Sequence, residues 1–171
     1  MTNQSHVDPP PAPTDEREQL GERARGVNED GCQEGPCTDR QPTLYRADLF
    51  TLTGDGDNKD HDTGIYITVK TRDDRTLLAS INNADSSGKD MTTYNDDSHH
   101  IVPLVVEAPG ATKSNCDGFK VRMWIKTNGN DTWTIDDARV TLFFSDGTTL
   151  VAEKLGFSLT DDGDSVEFCS P

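Results

Sequence analysis

Four carboxylates fall within the eight residues Asp55–Asp62: Asp55, Asp57, Asp60 and Asp62, in the stretch GDGDNKDHDT. Charges this close repel one another unless a cation is shared among them. Calcium suits such a set, because it takes about six to eight oxygens at roughly 2.3–2.6 Å. Gly54 and Gly56 give the loop freedom to wrap an ion. The spacing is not that of an EF-hand: the twelfth residue counted from Asp55 is Tyr66, and from Asp57 it is Thr68, where a bidentate Glu is needed. Further ligands must come from another loop. Asn128, Asn130 and Asp131 are the candidates, by side chain or carbonyl. The alternative is a solvated acidic turn, or one neutralised by the chain's own Lys59 and Lys126.

A second polar cluster contains Asn82, Asn83, Asp85 and Asp90, with Asp96 and Asp97 further on. It reads either as a second ion site or as an ordinary polar turn. His99-His100 and Asp136-Asp137 invite a catalytic interpretation, but adjacent residues of a strand point to opposite faces. There is no Gly-x-Ser-x-Gly elbow, phosphate loop or His-Glu-x-x-His, and nothing marks Ser114 as activated. Binding rather than catalysis is expected. The four cysteines allow three pairings. Cys32–Cys37 would close a small local loop, and Cys116–Cys169 would clip the C-terminus to the sheet. Zinc is the rival, although the spacing is not of the CxxC type. An even cysteine count in a polar, turn-rich chain points to an oxidising, extracellular compartment.

The elements that must carry these loops are strands. Phe119, Val121, Met123 and Ile125 alternate with Lys120, Arg122, Trp124 and Lys126, a half-buried strand. Asn128–Asp131 breaks it. Trp133 and Ile135, then Ala138, Val140, Leu142 and Phe144, build the next strand, with Trp133 expected in the core. Earlier strands are expected at Leu44–Thr53, Gly64–Thr71, Thr76–Ile81 and His99–Glu107, with Ala108–Gly118 as a loop. Pro103 implies an edge or a bulge, because it donates no ladder hydrogen bond. Asp146-Gly147 centres a hairpin turn, and Thr149–Glu153 and Val166–Cys169 close the sheet. Strands about ten residues apart, with no helical run, indicate an all-β antiparallel sandwich of about eight strands.

The chain has 171 residues, a net charge of −15 and a hydrophobic content of 32%. That is room for one domain and a tail. The tail is residues 1–42, with its polyproline run Asp8–Pro13 and a charged segment too poor in apolar residues to fold alone; the domain is residues 43–171. The acidity disfavours nucleic acid, and anionic lipid unless a cation bridges. No apolar run of membrane-spanning length and no secretory signal are evident.

The region from about Leu44 to Val151 resembles a PLAT/LH2 domain, the β-sandwich that accompanies lipoxygenases, some lipases and the clostridial phospholipase C toxins. Three stretches carry the resemblance: DTGIYITVKT (Asp62–Thr71), LLASINNADSSGKDMTTYNDDS (Leu77–Ser98) and FKVRMWIKTNGNDTWTIDDARVTL (Phe119–Leu142). Asp62 falls on the family's Asp and Trp133 on its Trp, whereas Asp60 and His61 replace its Gly-Thr. The resemblance implies a non-catalytic module that binds a protein, glycan or lipid surface, often with calcium. Membrane-binding members expose aromatic residues on loop tips, for which Trp124 and Tyr94 are the candidates here. Two other readings are a structural subunit of an extracellular assembly docked through its tail, oligomeric or not, and an accessory domain of a hydrolase.

Overall fold

The computed structural model describes residues 40–83, 92–127, 129–160 and 164–171. The strands are β1 (Leu44–Thr53), β2 (Gly64–Lys70), β3 (Leu77–Asn82), β4 (His99–Val106), β5 (Lys120–Lys126), β6 (Thr132–Phe144), β7 (Thr149–Thr160) and β8 (Ser165–Cys169). A four-residue helix, α1 (Lys113–Cys116), interrupts what was expected to be a plain loop. The tail expected over residues 1–42, with the Cys32–Cys37 bridge, lies outside the described residues up to Asp39.

All the pairings are antiparallel, in the order β7-β6-β1-β4-β3-β2-β5-β8. The sheet is two four-stranded halves. They are joined between β4 and β3 by two ladder pairs, Ala79↔Val106 and Ser80↔Val105, and by the Glu107 and Ala108 amides, which donate to Leu78 O. Pro103 has no ladder partner on its β3 side, as an edge position requires. The core lies between the halves. Ala47 and Leu49 of β1 and Val140 and Leu142 of β6 meet Ile65 and Ile67 of β2 and Val121 and Met123 of β5 in one buried cluster.

The strand β6 changes the parity of its inward residues. Trp133 and Ile135 face the core, and then Ala138, Val140, Leu142 and Phe144 do. A shift in the pairing with β1 between Leu52↔Asp137 and Thr53↔Ile135 makes Asp136 the bulged residue, which keeps both sets inward. At the same level, β7 crosses Gly156 (φ 54°) and pairs on to Thr160. The expected end at Glu153 was too early, because the alternation breaks at Gly156 while the strand continues through it.

Candidate functional site

The loop between β1 and β2 and the loop between β5 and β6 meet at one end of the sandwich. Asp131 Oδ2 accepts hydrogen bonds from Thr63 Oγ1 at 2.5 Å and from the Asp60 amide at 3.2 Å. Gly54 N donates to Thr134 O, and Thr134 N to Asp57 O, so the first loop lies along the start of β6. Trp133 beneath them is fully buried, and its indole N–H donates to Thr53 Oγ1 at 3.1 Å.

The interior of this junction holds an ammonium group. Lys59 is completely buried, and its Nζ donates to Asp60 O at 3.0 Å and to Thr63 O at 2.9 Å. The same Nζ lies 4.9 Å from the centroid of the Tyr94 ring, a cation–π distance. Backbone bonds run both ways between Lys59 and Tyr94, fixing the ring over the amine. Tyr94 also stacks on His100 and meets Trp133 edge-on. It is therefore a core residue, 2% exposed, and not the exposed loop aromatic expected from its loop position.

Asp55, Asp57, Asp60 and Asn130 are exposed, and Asp62 and Asp131 are half-buried. Asn128 lies outside the described residues. Among the described residues no three acidic, histidine or cysteine side chains stand close enough together to hold a metal ion. The carbonyls that could ligate an ion from within face an ammonium, and one oxygen of Asp131 is engaged twice. These residues do not fit an enclosed calcium ion. In the second cluster, Asn82 is exposed at the end of β3, and Asp85 and Asp90 lie outside the described residues.

Cys116 and Cys169 are free thiols, and the bridge expected between them is not formed. Strand alternation explains why. Val166 and Phe168 of β8 are half-buried against the core, so Cys169 stands on the exposed side with Glu167. Cys116 is buried in the core, where desolvation pushes its thiol up to about 11. The described thiols therefore give no support to an oxidising compartment.

The outer face of β2 and β5 carries a site that depends on strand register. Tyr66 stands opposite Trp124, Thr68 opposite Arg122 and Lys70 opposite Lys120, with Lys126 beside Gly64. The Tyr66 and Trp124 rings stack at 5.5 Å, 18° from parallel. Arg122 lies 5.6 Å from the Trp124 ring centroid, and its Nε donates to Ser165 Oγ. Lys120 pairs with Asp74 at 2.5 Å, and the Asp74 hydrogen bond is the main reason its ammonium is held above its ordinary pKa. A groove of about 280 Å³ opens between Lys70, Lys120, Arg122 and Glu167. Four cations thus share one sheet face with an aromatic pair, beside the carboxylates of Asp74 and Glu167, in a chain of net charge −15. The alternation of β5 already put Lys120, Arg122, Trp124 and Lys126 together. What the sequence did not show was β2 lying beside them in register.

No family model matches the chain, and no curated protein does. Solved structures do match. The alpha toxin from Clostridium absonum superposes with a TM-score of 0.51 at 15% identity, over 78% of this chain and 33% of that one. The Clostridium perfringens alpha-toxin isolated from avian strain SWCP gives 0.51 at 15%, over 80% and 34%. The chain spans about a third of the length of these structures, and the likeness is one of fold.

Proposed function

We propose that the chain is a non-catalytic accessory module that docks on an anionic lipid surface through the outer face of β2 and β5. The observation that carries this is the register of Tyr66, Thr68 and Lys70 against Trp124, Arg122 and Lys120. Tyr and Trp have amphipathic rings suited to the headgroup level of a bilayer. Each Lys or Arg near an anionic leaflet contributes about 1 kcal/mol, falling away within a Debye length of roughly 8 Å at physiological salt. At that range a basic face acts locally, and carboxylates elsewhere on the chain are largely screened. The resemblance to the domain that accompanies lipases and phospholipase C toxins, and the fold shared with the two alpha-toxin structures, support the same reading. The calcium implied by that resemblance has no role in this docking.

Flotation with phosphatidylserine-containing vesicles tests it. The full chain is expected to float with them and not with vesicles of phosphatidylcholine alone, to be released by salt, and to float equally in EDTA. Equal recovery with both vesicle types, or none with either, sinks the reading. A preference for a soluble anionic polysaccharide over the vesicles would replace it with glycan binding.

A further inference from the structure

The metal that the family resemblance leads one to expect has a substitute within the chain. We propose that Lys59 is the resident cation of the loop junction, taking the place of a divalent ion, so that this end of the sandwich is shaped without metal. The inference rests on the junction alone and not on lipid docking.

Calcium needs about six to eight oxygens drawn in to roughly 2.3–2.6 Å. The inward oxygens of the junction have other partners. Asp60 O accepts from both Lys59 Nζ and Thr63 N, and Thr63 O accepts from Lys59 Nζ. Asp131 Oδ2 accepts from Thr63 Oγ1 and Asp60 N. A divalent ion brought to these groups would have to displace an ammonium held by two carbonyls and an aromatic face, and would be repelled by it until it did.

The burial of Lys59 is itself informative. A fully buried lysine is rare, because removing its charge from water is costly unless partners compensate. Among the described residues the compensation comes from three parts of the chain. The carbonyls come from its own loop, the π-face from Tyr94 on the approach to β4, and Asp131 from the approach to β6 braces the loop that carries the carbonyls. That is a cation site, with the cation supplied covalently. One charge of the opposite sign sits beneath the carboxylate-rich stretch Asp55–Asp62 and attracts it.

The test is thermal unfolding of the full chain in millimolar calcium, in EDTA and in plain buffer, together with the variant Lys59→Ala. The wild-type melting temperature is expected to be the same in all three solutions. A rise in calcium, or a fall in EDTA, overturns the proposal without the need for any variant. Lys59→Ala is expected to melt several degrees lower and to recover part of the loss in propylammonium, whose head and chain fit the vacated volume. Lys59→Met, which keeps the apolar stem and lacks the charge, is expected to show no such recovery. Melting of Lys59→Ala at the wild-type temperature, or equal recovery of both variants, would also overturn it. If neither variant folds, the three wild-type melts still decide the matter.

Discussion

Tyr66 and Trp124 face each other across the β2–β5 ladder with their rings 5.5 Å apart. Offset stacked pairs of this kind contribute about 0.5–1.5 kcal/mol beyond the area they bury. The two residues are 58 positions apart, so the pair exists only because β2 and β5 are neighbours in the sheet.

Charge reversal on this face has a definite expected outcome. Arg122→Glu removes one attraction and adds one repulsion, so vesicle affinity should fall by roughly tenfold or more, at about 1 kcal/mol per charge. Trp124→Ala should weaken binding with less change in its salt dependence. Both variants should retain a wild-type far-ultraviolet circular dichroism spectrum, because neither side chain lies in the core.

Asp131 holds the two loops together and should be costly to remove. Asp131→Ala leaves Thr63 Oγ1 and the Asp60 amide without their acceptor. Losing such partners costs about 1–3 kcal/mol. Urea unfolding should show that loss as a lower midpoint with an unchanged slope, and Asp131→Asn should recover part of it. A midpoint equal to that of the wild type would mean that the loops are held by backbone bonds alone.

The two described thiols should differ in reactivity. Cys169 is exposed and should be alkylated by iodoacetamide in the native protein at pH 8, whereas Cys116 should be protected until the chain unfolds. The buried thiol is raised from an ordinary 9.0 to about 11, so the sign of its linkage to stability is fixed. The unfolded chain ionises Cys116 first as the pH climbs. Its contribution is intact below about pH 9 and is lost between there and about 11. Cys116→Ser should flatten that part of the stability profile. Mass spectrometry of peptides alkylated before and after denaturation checks the accessibility.

Gly118 occupies the left-handed region at φ 65°, between the buried Cys116 and Phe119. A Cβ there would come within 3.0 Å of the Arg72 side chain. Gly118→Ala should destabilise by about 1–2 kcal/mol, chiefly through the backbone. Chemical denaturation of the single variant measures it. A smaller loss would show that the turn before β5 relaxes.

Much of the fold was legible because it is written in local alternation. Leu44–Thr53 was read with its bounds unchanged, and the apolar sides of β2, β5 and β6 were assigned correctly. The end of β7 was placed at Glu153, short of Thr160, because the strand's own alternation does not run on past Gly156; pairing with β6 carries it through. The meeting of the acidic loop with Asp131 was expected as the way a calcium ion would find its remaining ligands; the contact present is a pair of hydrogen bonds. Neutralisation of the acids by Lys59 was weighed as an alternative to an ion; its burial was not foreseen, because a lysine among aspartates reads as one more solvated charge. Its burial depends on Tyr94, 35 residues away. The face around Trp124 was half-visible, since β5 shows its own polar side and nothing in the sequence shows which strand lies beside it. For Cys169 the signal was present and unused: with Val166 and Phe168 inward, the alternation of β8 already turns Cys169 away from Cys116.

The two ladder pairs that join Ala79 and Ser80 to Val106 and Val105, with the two amides on Leu78 O, are a thin seam between two well-laddered leaves. Each leaf keeps its own backbone bonds if that seam parts. Full separation of the leaves would uncover the core between them, so the excursion open to this fold is a local parting of the seam with the leaves still packed face to face. The seam amides of Ala79, Ser80, Val105 and Val106 should exchange with solvent deuterium sooner than those between β1 and β6, although they stand in the middle of the strand order and not at its margins.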